Sequence, residues 1–314
     1  MAIIECSNLR KQYGKVNALR GVNFTIEANS CLGFLGPNGA GKTTAIRILA
    51  GLARPSGGEV RVAGIDVVNN PSAVRAKIGY LAQTPVFYNW MSGEEYLLFC
   101  AELFKLPGRE ARTRAGELLE TTGLKEAGKR KIGGYSGGMK QRLGIAQSLI
   151  NSPEVLFLDE PVSALDPIGR FQVLEIIRQL KEKTTVFFST HVLNDASQIC
   201  DEVVILKDGE VAIQSGIAEL HNNHATPVFD VELEQISEGL LNSVKAQVWY
   251  TSHAVNGKLL TVVVNDVEQA KLELPKVIIN QGAVMTKYQL QTPTLEQVFL
   301  KVVKANARDV KEGN

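Results

Sequence analysis

The sequence predicts an α/β domain, with parallel strands around a phosphate-binding loop, followed by a smaller α+β domain. Three observations carry this expectation. An apolar run, Cys31 to Leu35, leads into Gly36 to Thr44, GPNGAGKTT, and then into the helix-compatible stretch Ala45 to Leu52. Two more apolar runs, Val155 to Leu158 and Thr184 to Phe188, end in chemistry-bearing residues: Asp159-Glu160 in the first case and Ser189-Thr190-His191 in the second. Past His221-Asn222-Asn223-His224 the texture changes to alternating strands with hairpin cues, which divides the chain into residues 1–224 and 225–314.

The loop is the first element to justify. Strand, glycine-rich loop, Lys42-Thr43 and helix form the P-loop arrangement, in which backbone N–H groups wrap a polyphosphate and the helix N-terminus faces its charge. Gly36, Gly39 and Gly41 permit backbone conformations that side chains block, and Pro37, Asn38, Ala40 and Thr44 complete the loop. Lys42 supplies a cation for the β- and γ-phosphates, and the Thr43 hydroxyl suits a Mg2+ ligand. A glycine-rich surface turn is the bland reading. The pattern arises by chance in roughly one in a hundred chains of this length, and the flanking strand and helix weaken that reading further.

Size and charge narrow the rest. With 314 residues, 45% hydrophobic and 21% charged, the chain has globular composition and room for two domains. A net charge of +1 gives no general reason to expect a nucleic-acid partner. The four cysteines, Cys6, Cys31, Cys100 and Cys200, are far apart in sequence and lack metal-ligand spacing, so reduced thiols are expected. The N-terminus does not read as a secretory signal. No apolar run of about 18 residues appears, so the chain is not expected to span a membrane.

In chain order, residues 2 to 36 read as short strands, with Val22, Phe24 and Ile26 alternating with polar neighbours. Tyr13, in the basic loop KQYGK, can stack on a nucleotide base; a half-buried packing role is the alternative. Arg54 to Gly64 reads as turn and strand, and Pro71 to Lys77 as a short helix. Ile78 to Ala82 is a strand delivering Gln83. Ser92 and Glu95 have capping-box spacing ahead of a helix with Tyr96, Leu97, Phe99, Leu103 and Phe104 on its apolar face. A further helix runs from about Arg109 to Thr122 and stops at Gly123. Then Gly133 to Ile150 opens on a second glycine-rich loop: Ser136 caps a helix whose first amides, at Gly137 and Gly138, point at an incoming anion. One small enzyme seldom needs two such constellations.

The strand at Val155 ends in adjacent acids, Asp159 and Glu160, placed to coordinate Mg2+ and activate water. A charged loop is the bland reading for one acid and a poorer one for this pair. SALD (Ser163 to Asp166) and Pro167 start the helix Ile168 to Lys183. His191 follows the next strand, beside those acids, and a hairpin turning at Asp208-Gly209 closes the domain.

Taken together, these motifs resemble those of the ATP-binding subunits of ABC transporters, over roughly the first 224 residues. GPNGAGKT matches that family's P-loop, YSGGMKQ its signature loop, VLFLDE its Walker B strand and SALD the loop after it. Gln83 matches the Q-loop, His191 the switch histidine and Tyr13 the adenine-stacking aromatic. The resemblance implies a P-loop NTPase domain with an antiparallel β subdomain and a helical subdomain. It implies that Tyr13 stacks on adenine, that residues 36–44 hold the phosphates, and that Thr43, Gln83 and Asp159 hold Mg2+. Glu160 then polarises the attacking water, His191 contacts the γ-phosphate, and Ser136, Gly137 and Gly138 contact ATP held by the opposite subunit. Two departures, Tyr135 where leucine is common and Val162 where threonine is common, remove no phosphate ligand.

In this fold the two phosphate loops cannot reach one nucleotide within one subunit, so the resemblance implies a head-to-tail dimer, of identical or related subunits, around two ATP molecules. It also implies a peripheral place on the cytoplasmic side of the plasma membrane, docked through the region Gln83 to Phe104 on a separate permease that exports a substrate. A soluble relative acting on ribosomes or DNA is the alternative. One ATP-binding domain and the lack of sustained heptads argue against it.

The remaining residues suggest a small α+β domain of ferredoxin-like type. Val228 to Leu233 alternates like a strand, Lys245 to Thr251 and Lys258 to Val264 flank a turn at Asn256-Gly257, and Val267 to about Asn280 is a helix bent at Pro275. Val284 to Leu290 is a strand, and Pro293 to Lys304 an amphipathic helix. The two histidines before this domain read as a polar linker rather than a metal site, and the domain itself as a dimer contact, a regulator or a stabilising appendage.

Overall fold

The computed structural model describes residues 2–223 and 227–291, which fall into two compact units, Met1–Ile217 and Ala218–Asn314. In the first unit, β1 (Ala2–Tyr13) and β2 (Val16–Glu27) are two long antiparallel strands where the sequence suggested several short ones. Irregularities in their register, at Cys6/Leu9, Leu9/Arg10 and Lys11/Gln12, interrupt the two-residue alternation that would have revealed their length. With β4 (Gly57–Val62) and β5 (Ile65–Asp66) they form a sheet of order β2-β1-β4-β5.

The central sheet contains β3 (Cys31–Leu35), β6 (Ile78–Leu81), β7 (Val155–Asp159), β8 (Thr185–Thr190), β9 (Glu202–Lys207) and β10 (Glu210–Gly216), in the order β10-β9-β3-β8-β7-β6. All neighbours are parallel except the edge pair β9–β10. Strands β3, β7 and β8 are buried along their whole length, which is why they appear in sequence as unbroken apolar runs. Because they run parallel, their C-terminal ends meet on one edge and carry the phosphate loop, the two acids and His191 together. Four rings bind the antiparallel sheet to this one: Phe34 lies 5.7 Å from Phe24 and 5.0 Å from Phe187, which lies 5.4 Å from Phe157.

Helix α1 (Lys42–Leu49) begins three residues before the periodic stretch, so Lys42 and Thr43 stand in its first turn. Then come α2 (Pro71–Lys77), α3 (Gly93–Leu103), α4 (Gly108–Thr121), α5 (Gly137–Ser148), α6 (Pro167–Leu180) and α7 (Leu193–Ile199). The capping box of α3 is complete: Ser92 Oγ accepts from Glu95 N at 3.2 Å, and Ser92 N donates to the Glu95 carboxylate at 2.6 Å. Helices α3, α4 and α5 pack on one another. Helix α5 sits on β6 through Gly79, where a Cβ would lie 1.9 Å from the Ser148 carbonyl oxygen. Only a glycine there allows the approach.

In the second unit, α8 (Ile217–Asn223) starts at the boundary, and β11 (Val228–Leu233), α9 (Glu238–Lys245), β12 (Tyr250–Asn256), β13 (Leu259–Val264), α10 (Val267–Asn280) and β14 (Met285–Gln291) follow. The sheet order β12-β13-β11-β14, antiparallel throughout, is the ferredoxin-like arrangement. One strand moves: Lys245 ends α9, and the strand expected from that residue starts at Tyr250. Trp249, an apolar residue inside the expected strand, belongs to the core from a turn. Pro275 does lie inside α10, and the Lys271 carbonyl one turn earlier, which a proline cannot bond, accepts from the Tyr288 hydroxyl at 3.4 Å. His224 and the expected helix at 293–304 lie outside the described residues.

Candidate functional site

The site is assembled around the loop between β3 and α1. A Cβ at Gly36 would lie 2.4 Å from the Leu206 carbonyl oxygen, and one at Gly41, where φ is +105°, 2.5 Å from that of Ala18. Both positions press the loop against its neighbours, which glycine alone allows. Lys42 Nζ donates to the carbonyls of Gly36 at 2.7 Å and Pro37 at 3.2 Å, and lies 3.3 Å from Glu160 Oε1.

Behind the loop, one hydroxyl orders both acids. Ser189 Oγ donates to Asp159 Oδ1 at 2.8 Å and accepts from the Glu160 N–H at 2.9 Å. Asp159 Oδ1 also accepts from Thr43 Oγ1 at 3.2 Å, so the strand end and the first turn of α1 converge on one hard-oxygen corner. Glu160 has φ of +49°, a left-handed conformation uncommon for a side-chain residue, and it turns the carboxylate back toward the loop. Its Oε2 meets His191 Nδ1 at 2.7 Å, while the buried Oε1 has no hydrogen-bond donor and only the ion pair to Lys42. A carboxylate between a lysine and a histidine, with one oxygen free of donors, can accept a hydrogen bond from water.

A cavity of about 540 Å³ opens on this cluster. Asn38, Gly39, Gly41 to Thr44, Gln83 and Glu160 line one part, and Val16 to Ala18, Arg20 and Asp208-Gly209 another. The second group was not among the sequence candidates. Asp208-Gly209 reads only as a turn, and nothing local to β2 shows that its start meets that turn, where Arg20 N donates to the Gly209 carbonyl at 2.8 Å.

The remaining candidates stand apart from that lining. Tyr13 ends β1 half exposed, with Lys11 Nζ 4.7 Å from its ring centre. Ser136 caps α5, accepting from Met139 N at 3.2 Å, and with Gly137 and Gly138 it lies outside the cavity lining. Tyr135, the first departure from the family pattern, is a packing residue: its hydroxyl donates to the Ala127 carbonyl at 2.7 Å. Val162, the second, is buried.

Two buried features were not legible in the sequence. Asp195 on α7 takes Arg170 Nε at 2.8 Å on Oδ1, and burial raises its carboxyl above the usual range while Arg170 pulls it down. Cys31 and Cys200, 169 residues apart, bring their Sγ atoms within 3.6 Å. All four cysteines are free and buried, and burial pushes the Cys6 thiol up to about 12.

Comparison with known proteins decides the family. The pattern described as ABC transporter matches residues 19–163. The ABC transporter ATP-binding protein YxlF of Bacillus subtilis, itself uncharacterized, is 42% identical over 312 residues, covering 96% of this chain and 100% of that one. The chain belongs to the ABC transporter ATP-binding proteins. Other relatives in this family include the bacitracin transport ATP-binding protein BcrA of Enterococcus faecalis, 34% identical with 96% of each chain covered. The daunorubicin/doxorubicin resistance protein DrrA of Streptomyces peucetius is 35% identical, with 98% of this chain and 94% of that one covered. Among solved structures, the dimeric ATP-binding cassette MJ0796 in a post-hydrolysis state with ADP and Pi superposes with a TM-score of 0.62 at 28% identity, covering 68% of this chain and 98% of that one. As a family member the chain is an ATPase and the ATP-binding subunit of an ABC transporter. Among the described residues, no helix is long and apolar enough to cross a membrane.

Proposed function

We propose that two copies of this chain, or this chain and a related subunit, close head to tail over two ATP molecules and so drive export through a separate permease. One observation carries the reading. The signature residues Ser136 to Gly138 do not line the cavity at the phosphate loop of their own chain, so a second nucleotide-binding surface is left for another subunit. The γ-phosphate is then met by donors from two sides, and hydrolysis releases one of them.

Within each half, the loop amides and Lys42 hold the phosphates and Tyr13 stacks on the base. Glu160 accepts a hydrogen bond from the attacking water, and His191 fixes that carboxylate and faces the γ-phosphate. The oxygen donors Thr43 Oγ1, Asp159 Oδ1 and the Gln83 amide suit Mg2+, which when bound neutralises phosphate charge. The surface from Gln83 to Phe104 is the permease contact. Tyr88 and Trp90 are exposed on it, and an apolar cavity of about 260 Å³, lined in part by Leu103 and Phe104, lies beside it. The names of BcrA and DrrA favour a drug or antibiotic as the exported class. The C-terminal unit serves dimer contact or regulation, or stabilises the chain as an appendage.

The test is Glu160→Gln. The variant is expected to bind ATP, to lose about 10²–10⁴ in rate, and to elute as a dimer with ATP in gel filtration. A variant that binds ATP at high concentration and stays monomeric rejects the sandwich.

A further inference from the structure

The hydrolytic pair, Glu160 and His191, sits on two separate connections. Glu160 precedes the 163–166 loop and α6; His191 precedes α7. Little holds His191 locally. Its side chain is 41% exposed, its ring makes one hydrogen bond, to Glu160, and α7 has no side-chain cap at its N-terminus. Ala196 and Ile199 seat α7 on the core, and the polar tie at its start is Asp195, in its first turn and 1% exposed, gripped by Arg170 in the first turns of α6 through Nε at 2.8 Å and Nη2 at 2.6 Å. Both donors fall on Oδ1, and the buried Oδ2 has no hydrogen-bond partner.

A buried carboxylate with one oxygen unpaired is a poor way to gain stability, because the desolvation of the charge offsets most of the attraction. It is a good way to fix geometry. The chain from Glu160 closes on itself: Ser163 Oγ donates to the Glu160 carbonyl at 3.1 Å, Asp166 caps α6 through Gly169 N at 3.1 Å, Arg170 grips Asp195, and α7 leads back to His191 and so to Glu160. The Arg170–Asp195 contact is the link in that ring between the start of α6 and the start of α7.

We propose that Arg170 and Asp195 are positioning residues for ATP hydrolysis, the half-exposed arginine holding the buried carboxylate so that α7 is set against α6 and His191 stays on Glu160. This rests on the reading of Glu160 and His191 as the hydrolytic pair. Steady-state ATPase kinetics on the full-length chain test it, with Asp195→Ala, which removes the oxygen that accepts both Arg170 donors, the apolar pair Arg170→Met/Asp195→Leu, and Arg178→Met as a control. Arg178 also joins α6 to α7, through the Gln198 carbonyl at 3.3 Å, but at the far end of both helices. The expected result is kcat lower by about tenfold or more in Asp195→Ala and in the apolar pair, with KM for ATP within about twofold of the parent. The melting temperature of the apolar pair should equal or exceed the parent's, and Arg178→Met should keep parental kcat. Parental kcat in Asp195→Ala overturns the proposal whether or not the apolar pair folds. So does a KM that rises as kcat falls, or an equal loss in Arg178→Met. A parent chain without ATPase activity, or a Glu160→Gln variant with full activity, instead overturns the functional reading on which this one rests.

Discussion

Ser189 is the residue on which the most depends for its size. It is buried, its hydroxyl donates to Asp159, and its oxygen accepts from the Glu160 amide, so it sets the direction of both acids at once. Replacing it with alanine removes the shorter bond of each group, leaving Asp159 Oδ1 with Thr43 Oγ1 at 3.2 Å and the Glu160 N–H with the Ser189 backbone carbonyl at 3.2 Å, at about 0.5–3 kcal/mol for each bond lost. The expected outcome for Ser189→Ala is a lower melting temperature together with an ATPase rate that needs more Mg2+ to saturate. A Mg2+ titration of the rate checks this, and an unchanged midpoint would separate Asp159 from the metal. Lys42 is bound from the opposite side. Lys42→Ala removes the cation beside the buried Glu160 as well as the proposed phosphate ligand, so nucleotide affinity and folding stability are expected to fall together, as measured by nucleotide titration and thermal melting.

At the scale of elements, the sequence shows strands and helices wherever burial is complete or caps are explicit. Strand β3 and helix α2 keep the bounds read from the sequence, and Ser92 and Ser136 cap the helices they were expected to cap. The long strands β1 and β2 were not visible as such, because bulges break their alternation. In the second unit, Trp249 carried apolar signal from the expected strand into a turn. Site residues supplied by consecutive positions, as in the loop and the Asp159-Glu160 pair, were legible. Partners brought together by topology were not: Arg170 with Asp195, Cys31 with Cys200, and the start of β2 with the β9–β10 turn. Those pairings depend on strand order, which no local pattern encodes. The same logic places a test on the α5–β6 contact. Gly79→Ala puts a methyl where the Ser148 backbone stands, so α5 must shift, and overpacking of this kind costs about 1–3 kcal/mol. Chemical denaturation measures that cost; a neutral change would show that α5 is not seated on β6.

At the scale of the whole molecule, the question is what a second subunit adds. The described residues of one chain place the lysine, the acids and the histidine on one sheet edge, yet leave Ser136, Gly137 and Gly138 away from that cavity. Ser136→Arg tests the arrangement because it acts on only one of the two surfaces. Ser136 is exposed, so a long cationic side chain there should leave the monomer folded and its own nucleotide cavity intact. ATP affinity of the monomer is therefore expected to stay within about twofold of the parent. Closure over the opposite nucleotide, however, brings that side chain to the place where a small hydroxyl and two glycine amides would meet the γ-phosphate. In the Glu160→Gln background, which favours the closed state, the added Ser136→Arg change should abolish the ATP-dependent dimer in gel filtration. In an equal mixture with the Glu160→Gln chain, that chain should still dimerise with itself, while any dimer that includes the double variant keeps at most one intact interface. An ATP-dependent dimer of full yield from the double variant alone would mean that the signature loop does not take part in closure, and that the two phosphate-binding constellations of this chain act separately.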